Sequence, residues 1–329
     1  MKKQIALVAG GYSGEYEISL KSAEGLYSFI DKTRYDLHRV LLTRDEWSVL
    51  LTDGVRVPID RNDFSYRHPD GRHVSFDFAY ITIHGTPGED GRLQGYFDML
   101  SLPYSSCGAL ASALTFNKYT CSQFLGSQGV RVSDAIRLRR GDSVDADLVT
   151  KTLGLPVFIK PNAGGSSLGT TKVKVATEID EAIRRAFACD DEVIIERFAP
   201  GTEVTCGCYK TRDRVVLLPL TEVVTSNDFF DFDAKYNGQV SEITPARISE
   251  DLTRKIQQET ERIYNLIGAK GIIRVDYIIP PDGGEPVVLE VNTTPGMTQT
   301  SFIPQQIRAA GLNITDVMTE VIEHEMNGV

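Results

Sequence analysis

Residues 271–292 read GIIRVDYIIPPDGGEPVVLEVN, which is two apolar runs around a Pro-Asp-Gly-Gly turn. Such turn residues between alternating runs predict a β-hairpin. Because side chains alternate between the faces of a strand, Arg274 and Asp276 share one face. Glu290 and Asn292 likewise share a face of the second strand. Closing the turn is expected to bring Asp276 near Glu290 and Arg274 near Asn292.

The polar face of this hairpin has two interpretations. Two carboxylates and an amide oxygen are hard ligands of the kind that bind Mg²⁺ together with substrate phosphates. A solvent-facing strand pair with a salt bridge would leave the same pattern. Leu289 and Val291 flank Glu290 and indicate that the other face is buried, which favours the metal site.

The N-terminal part has the pattern of an α/β unit. A buried strand is predicted over residues 4–9, a helix over 17–30, and further strands over 36–43 and 78–84. Strand, helix and strand in this order favour a parallel sheet. Further along, helices are predicted over 110–124, over 177–188 with Thr177 as its cap, and over 249–267 with Ser249 as its cap.

Composition excludes several classes of protein. The 329 residues carry 35 Lys and Arg against 45 Asp and Glu, a formal charge of −10. So acidic a chain is a poor candidate for binding nucleic acid or an anionic membrane surface. No apolar run approaches the roughly 20 residues of a spanning helix, and the apolar run near Met1 is too short for a signal peptide. We therefore expect a cytoplasmic protein.

A Gly/Ser loop over residues 162–169 also has two interpretations. Residues 165–169 satisfy G-x-S-x-G, the nucleophile elbow of α/β-hydrolases. That mechanism needs a later histidine, and only His324, near the end of the chain, follows. We favour a phosphate-binding loop, because backbone N–H groups of such loops hold phosphate oxygens. Lys160, at the end of the preceding strand, would reach the same phosphate.

Three further side chains carry less specific signals. Lys118 is a second candidate phosphate cation, although a lone lysine is usually a solvated surface residue. His84 ends a strand and is equally well explained as a turn histidine. Glu15 lies at the start of the first helix, where a carboxylate is favoured by the helix dipole. It would also be placed to bind a ligand ammonium at the carboxyl edge of a parallel sheet.

Taken together, these segments resemble the D-alanine–D-alanine ligases of the ATP-grasp superfamily over essentially the whole chain. The segments that carry the resemblance are residues 9–19, 84–91, 164–169, 234–236, 274–276 and 289–298. The resemblance implies an α/β protein with an ATP-grasp fold, α+β in its ATP-binding part. It implies three domains, over residues 1–106, 107–198 and 199–329, with ATP between the last two.

The implied activity is a ligation for peptidoglycan precursor synthesis. ATP phosphorylates the carboxylate of one D-alanine, and the amine of a second D-alanine attacks the acyl phosphate. ATP and two Mg²⁺ ions, which Mn²⁺ could replace, are the implied cofactors, and we expect a homodimer. The rivals are a ligase of the same fold that makes a D-alanyl ester, such as D-alanyl-D-lactate, or a different dipeptide, and a catalytically silent nucleotide-binding protein. The silent protein would lack the hairpin carboxylates.

The resemblance also implies roles for individual residues. Lys118 and Lys160 would bind the phosphates, and Asp276, Glu290 and Asn292 would bind the metal ions. The other implied nucleotide contacts are Ser167, Glu196, Arg197, Ala199, Glu203, Phe229 as a stacking partner, and Lys235, which also lies near the second substrate.

For the amino acids, Glu15 would hold the ammonium of the first D-alanine, and His84, paired with Glu89, would lie near its carboxylate. Arg274 and the Gly296 backbone would stabilise the tetrahedral intermediate. The remaining implied residues are Ser301 and Phe302 at the second substrate, and Ser166 and Tyr236, which latch a mobile loop.

Two expectations follow for the loop. Residues 222–244 and 162–169 are predicted to form a lid, since the first segment is long for a passive connection. In the resembling ligases, a tyrosine at the position of Tyr236 goes with an amine acceptor. Its hydroxyl could bond Ser166 and, through it, Glu15.

Overall fold

The first sheet is built around the predicted N-terminal strand. The computed structural model describes residues 2–225 and 240–327. The strands of this sheet are β1 (Lys3–Gly10), β2 (Tyr35–Leu42), β3 (Trp47–Leu50), β4 (Arg56–Pro58) and β7 (Phe78–Ile81), in the order β4-β3-β2-β1-β7. β1 pairs in parallel with β2 and β7, and β3 and β4 continue antiparallel. The predicted parallel arrangement is therefore confirmed at the centre of the sheet, and its edge is antiparallel.

Two helices and a small ribbon belong to this region. They are α1 (Tyr16–Phe29), the ribbon strands β5 (Tyr66–Arg67) and β6 (His73–Val74), and α2 (Arg92–Met99). β1 is buried on both faces, as its unbroken apolar sequence predicts. Ile5 and Leu7 belong to one apolar core, and Ala6 and Val8 to another.

A second, antiparallel sheet has its own core. Its elements are β8 (Ala135–Arg139), α5 (Ala146–Leu153), β9 (Val157–Pro161), β10 (Thr171–Val173), α6 (Ile179–Phe187) and β11 (Glu192–Arg197), with strand order β10-β9-β11-β8. Ile159, Val193 and Ile195 from the sheet pack against Ala182 and Ala186 of α6. The sheet is therefore covered by its own helices.

The third sheet is also antiparallel and carries the predicted hairpin. Its strands are β12 (Thr202–Lys210), β13 (Val215–Leu217), β14 (Thr221–Thr225), β15 (Val240–Ile243), β16 (Ile272–Ile279) and β17 (Val287–Asn292). The helices nearby are α3 (Ala109–Phe116), α4 (Lys118–Ser127), α7 (Glu250–Leu266), α8 (Phe302–Ala309) and α9 (Ile314–Asn327). In β16 and β17, Arg274 lies opposite Asn292 and Asp276 opposite Glu290, which confirms the predicted register.

Two helix predictions need correction. The helix predicted over residues 110–124 is broken at Asn117, which leaves helical geometry and caps α4 by accepting a hydrogen bond from the Thr120 N–H. Apolar periodicity continues across such a break, so it did not reveal the cap. Thr177 does not cap a helix either: it lies within a 3₁₀ turn, Ala176–Glu178, that leads into α6. Ser249 does cap α7, as predicted.

One apolar core joins the two ends of the chain. Leu7 of β1 and Leu26 of α1 belong to the same cluster as Met318, Val321 and Ile322 of α9. A separate cluster places Cys121 and Leu125 of α4 against Val275 of β16. Within residues 2–225 and 240–327, no helix has the length and apolar character needed to span a membrane.

Candidate active site

Two adjoining clefts contain the predicted site residues that the structure describes. The first cleft, of about 460 Å³, lies between the second and third sheets. The second cleft, of about 430 Å³, lies between the first sheet, α1 and the segment after β17. The residues that line both are Lys118, Gly164, Gly165, Ser166 and Glu290. The two clefts therefore meet at a lysine, a carboxylate and the Gly/Ser loop.

A buried ion pair lies on the wall of the first cleft. Lys160 on β9 and Glu196 on β11 face the same side of the second sheet, and Lys160 Nζ lies 2.5 Å from Glu196 Oε2. Burial disfavours the charged lysine, but Glu196 and other nearby carboxylates more than compensate and raise the pKa of Lys160. Lys160 is therefore a permanent positive charge in this cleft.

Lys118 reaches the same place from the start of α4. Asn162 fixes this helix end, because its side-chain oxygen accepts from the Tyr119 N–H at 2.8 Å and its carbonyl accepts from the Lys118 N–H. Lys118 Nζ donates to the Gly164 carbonyl. Burial lowers the pKa of Lys118, and the Glu290 carboxylate opposes that effect.

The Gly/Ser loop makes a direct contact with the first helix. Ser166 Oγ donates a hydrogen bond to Glu15 Oε1 at 2.5 Å. A side chain at Gly165 would place its Cβ 2.7 Å from Glu15 Oε2, so a larger residue there would displace the Glu15 carboxylate. Ser166 and Ser167 have φ values of 52° and 57°, which are uncommon for residues other than glycine. The loop therefore closes onto Glu15, and the Ser166–Glu15 part of the predicted network is present.

The hairpin carries a closed polar cluster. Arg274 Nε and Nη2 donate to the two oxygens of Asp276 at 2.8 and 2.7 Å, and Asn292 Nδ2 donates to Asp276 Oδ2 at 3.1 Å. Burial disfavours the charged guanidinium, but Asp276 more than compensates and raises the pKa of Arg274. The salt bridge considered from the sequence thus exists, and it is buried and not solvent-facing.

The chemistry of the hairpin side chains fits a magnesium site. In the present structure, however, the Asp276 carboxylate is hydrogen-bonded within the cluster. Asp276, Glu290 and Asn292 offer two carboxylates and an amide, which are the oxygen donors that Mg²⁺ prefers. Asp276 is the carboxylate that Arg274 and Asn292 already engage. Among the described residues, no three His, Cys, Asp or Glu side chains are grouped to hold a metal ion.

His84 and Glu89 lie on the opposite wall, in the second cleft. His84 Nε2 lies 3.2 Å from Ser22 Oγ, while Glu89 Oε2 accepts from the Gly85 N–H at 2.7 Å. The resemblance implies that these two side chains pair, but each has its own partner in the described structure. Burial lowers the pKa of His84 and raises the pKa of Glu89 to about 8. Both groups are therefore largely neutral at pH 7.

The remaining predicted residues lie around these groups. Ser301 Oγ accepts from the Thr298 N–H at 3.0 Å, and the Phe302 ring lies 5.2 Å from the Arg274 guanidinium carbon. The other predicted residues lining the clefts are Ser167, Glu196, Arg197, Ala199 and Glu203 in the first and Gly296 in the second. The Arg197 guanidinium pairs with Asp134 at 3.1 Å. Phe229, Lys235, Tyr236 and most of the predicted lid segment 222–244 lie outside the described residues.

Sequence reasoning missed several residues of the second cleft. Lys21 and Glu242 line it, and Ser22 contacts His84 from behind. Ser22 lies on the buried stripe of α1 with Ser19 and Leu26. Ser19 and Ser22, three residues apart on an apolar helix face, could have indicated this contact, because buried hydroxyls need hydrogen-bond partners.

Comparisons with known proteins agree with this geometry. The family model described as the D-ala D-ala ligase N-terminus matches residues 4–107, and the D-ala D-ala ligase C-terminus model matches residues 124–323. A D-alanine–D-alanine ligase from Parabacteroides distasonis is 64% identical over 326 residues, which cover 99% of this chain and 98% of that protein.

Solved structures give the same result. The VanG D-Ala:D-Ser ligase from Enterococcus faecalis has a TM-score of 0.87 at 32% identity and covers 98% of this chain and 99% of its own. A D-alanine–D-alanine ligase from Bacillus anthracis, solved in complex with ATP, has a TM-score of 0.78 at 26% identity, with coverage of 99% and 98%. These similarities confirm the ATP-grasp fold, and the chain belongs to the D-alanine–D-alanine ligase family.

Proposed function

We propose that this chain uses ATP to join two molecules of D-alanine into D-alanyl-D-alanine for peptidoglycan precursor synthesis. The observation that carries the proposal is the junction of the two clefts at Lys118 and Glu290. A nucleotide in the first cleft and an amino acid in the second would meet there. Phosphoryl transfer requires mainly this kind of positioning, together with neutralisation of charge.

The first D-alanine is proposed to bind in the second cleft beside Glu15. The Glu15 carboxylate is suited to an ammonium group, and Ser166 holds one of its oxygens in place. His84 is neutral and faces the same region, so it can hydrogen-bond a carboxylate without forming a competing ion pair with Glu15. The D-alanine carboxylate would then point toward Lys118.

ATP is proposed to lie in the first cleft with its γ-phosphate at the junction. Lys160 and Lys118 would neutralise the phosphate oxygens, and Glu196 and the backbone of Ala199 would face the adenine. Asp276, Glu290 and Asn292 would hold two Mg²⁺ ions, or Mn²⁺ in their place. Bound there, the ions would supply charge neutralisation for the transferred phosphoryl group.

In the second step, the amine of the other D-alanine attacks the acyl phosphate and phosphate leaves. Arg274 uses Nε and Nη2 on Asp276, and Nη1 has no partner among the described residues. Nη1 and the Gly296 N–H are the proposed donors to the developing oxyanion. Ser301 and Phe302 would surround the second substrate.

The acceptor is the part of the proposal with a specific rival. One similar structure is that of a D-Ala:D-Ser ligase, and ligases of this fold that make D-alanyl-D-lactate are the other alternative. An amine acceptor is supported by Tyr236 in the sequence. A phosphate-release assay with D-alanine, L-alanine, D-serine and D-lactate, with mass spectrometry of the products, tests this directly.

We expect phosphate release with D-alanine alone and D-alanyl-D-alanine as the main product at neutral pH. In mixtures of D-alanine and D-lactate, Tyr236→Phe should gain a measurable ester product. Phosphate release that requires D-serine, or abundant D-alanyl-D-lactate from the unmodified protein, would contradict the proposed acceptor. No release with any of the four compounds would contradict the ligase activity itself.

Three further proposals concern the molecule as a whole. We propose domains over residues 1–106, 107–198 and 199–329, a homodimer, and a cytoplasmic location. The cytoplasm is supported because ATP and the amino-acid substrates are supplied there. Size-exclusion chromatography with light scattering would test the dimer.

A further inference from the structure

Ser22, a residue to which sequence reasoning gave no role, connects both walls of the second cleft. It lies on α1 and is fully buried. Its Oγ accepts a hydrogen bond from the Met297 N–H at 3.3 Å and lies 3.2 Å from His84 Nε2. One hydroxyl therefore contacts His84, three residues after β7, and the segment that carries Gly296.

Counting donors fixes the direction of the bond between Ser22 and His84. A serine hydroxyl has one proton to donate and two lone pairs that accept. If Oγ accepted from both Met297 N–H and His84 Nε2, its own proton would be buried without a partner among the described residues. A buried donor without a partner is strongly disfavoured. The hydroxyl proton is therefore directed at Nε2, which accepts.

The other contacts of His84 agree with this assignment. With Nε2 as acceptor, a neutral ring carries its proton on Nδ1. The Thr294 backbone favours the protonated ring and so opposes the lowering of the His84 pKa by burial.

We infer that Ser22 is a positioning residue that holds His84 in the Nδ1–H tautomer and fixes it relative to the segment 294–297. The inference rests on the proposed function for its consequence: His84 and the Gly296 backbone are the groups proposed to contact the first D-alanine and the reaction intermediate. In the other tautomer, Nδ1 of His84 would be a hydrogen-bond acceptor and not a donor. We therefore expect weaker binding of the first D-alanine, with little effect on nucleotide binding.

The closeness of α1 to this segment supports a fixed arrangement. Gly25 lies one turn after Ser22, and a Cβ there would lie 2.0 Å from the Met297 carbonyl oxygen. Gly25 and Ser22 thus lie on the same face of α1, against the same residue. The hydroxyl bond therefore acts between backbone segments that are already in contact.

The test observes the tautomer directly in the protein without substrates. The chain has five histidines, so selective ¹⁵N labelling gives few signals, and a His84→Asn variant identifies those of His84. We expect Nδ1 of His84 to be protonated and Nε2 to resonate as an unprotonated, hydrogen-bonded nitrogen. A protonated Nε2 would overturn the inference, whatever the enzyme does with D-alanine.

Variants then measure the consequence for the reaction. Ser22→Ala should move the Nε2 signal toward that of mixed tautomers and raise the KM for D-alanine roughly tenfold, as expected for loss of about one such bond. The KM for ATP should change less than twofold. Ser22→Cys has a side chain of similar size that is a weak hydrogen-bond donor. Its KM for D-alanine and its Nε2 signal should lie between those of the unmodified protein and Ser22→Ala. It replaces Ser22→Ala if that variant does not fold.

Ser19→Ala is the matched control, because Ser19 is an equally buried serine of α1 whose Oγ accepts from the Gly10 N–H. It should leave the His84 signals unchanged. Unchanged His84 signals and an unchanged KM for D-alanine in a folded Ser22→Ala protein would overturn the inference. The expected tautomer without any D-alanine-dependent phosphate release would contradict the proposed function instead.

Discussion

Glu290 acts on three buried cations around the junction of the clefts. Its carboxylate favours the charged forms of Lys118, Lys160 and Arg274. It also borders both clefts. This side chain therefore combines two tasks: it opposes the effect of burial on the charge of both lysines, and it is a proposed metal ligand.

Glu290→Gln should lower D-alanine-dependent phosphate release roughly a hundredfold or more, because it removes a charge that catalysis by neutralisation depends on. Thermal stability should change little, since glutamine has nearly the same shape. Glu285→Gln is the control: Glu285 lies near the same hairpin, is exposed, and pairs with Lys255. Near-normal turnover by a folded Glu290→Gln protein would contradict both tasks.

Glu89 should make the stability of the ligand-free protein depend on pH. Burial raises its pKa to about 8, whereas the ordinary value is 4.5. Between these values the folded state keeps a proton that the unfolded state has lost. This contribution to stability is therefore complete below about pH 4.5 and is lost as the pH rises toward 8.

The measurement is the difference in Tm between the unmodified protein and Glu89→Gln from pH 5 to pH 8.5. The unmodified protein should lose roughly 5 °C relative to the variant as the pH rises. Using the difference removes the titration of other groups. A difference that is constant with pH would show that Glu89 titrates normally.

Single residues also mark what the sequence could and could not predict about the site. Strand alternation placed Asp276 opposite Glu290 and Arg274 opposite Asn292. Alternation predicts which face a side chain occupies but not which neighbour it bonds. The sequence therefore could not show whether Asp276 binds a metal ion or pairs with Arg274. Ser22 escaped notice because its partners are His84 and Met297, 62 and 275 residues away.

Among the helices, α1 carries the greatest share of the site. Glu15 lies at its N-terminus, and Ser22 and Gly25 lie against the segment after β17. Its position therefore fixes three parts of the second cleft at once. Its extent was predicted to within one residue, because its buried stripe follows the helical period.

Gly25→Ala should disturb both stability and activity. The added Cβ would lie 2.0 Å from the Met297 carbonyl oxygen, so α1 or the segment carrying Gly296 must move. We expect a loss of about 1–3 kcal/mol, typical of overpacking, and a higher KM for D-alanine. Urea denaturation and steady-state kinetics measure the two effects.

Gly95→Ala provides the matched control in another helix. Gly95 lies in α2, and a Cβ there meets no atom within 4 Å. This change should leave activity intact and stabilise the protein by about 0.5–1 kcal/mol. If both alanine variants behave alike, the close contact between α1 and Met297 does not matter for the site.

The break at Asn117 shows why the helix over residues 110–124 was mispredicted. Apolar spacing in α3 and α4 continues in phase, so periodicity alone joins them. What separates them is a set of hydrogen bonds to Asn117 and to Asn162, 45 residues further on. The bond from Asn162 leaves no local signal, and the helix end that it fixes orients Lys118.

In the whole molecule, the first cleft lies between two sheets with separate cores. The second sheet has its own apolar cluster, while the third shares its clusters with α4, α7 and the C-terminal helices. A ligand in this cleft would contact both sheets, so it would bind only the native state, in which the two sheets are packed together. The order of strands and helices in the sequence made the separate sheets predictable. How the sheets pack against each other depends on long-range contacts, which the sequence does not reveal.

ATP should therefore raise the Tm of the protein in the absence of D-alanine. At a hundred times its Kd, a ligand that binds the native state alone adds about 2.7 kcal/mol. Lys160→Gln should lose most of this shift, because Lys160 is a proposed phosphate contact. Equal shifts in both proteins, measured by differential scanning fluorimetry, would remove Lys160 from the nucleotide site.

The core shared by β1 and α9 has a consequence for the order of synthesis. Domains usually fold as they leave the ribosome, N-terminal part first. Here one face of β1 is completed by Met318, Val321 and Ile322 of α9, which are made more than 300 residues after β1. The nascent first sheet must keep that apolar face uncovered until α9 has been made, so it is the surface that a chaperone would shield. Truncation before α9 would leave the N-terminal sheet incomplete, although the two ends lie more than 300 residues apart in sequence.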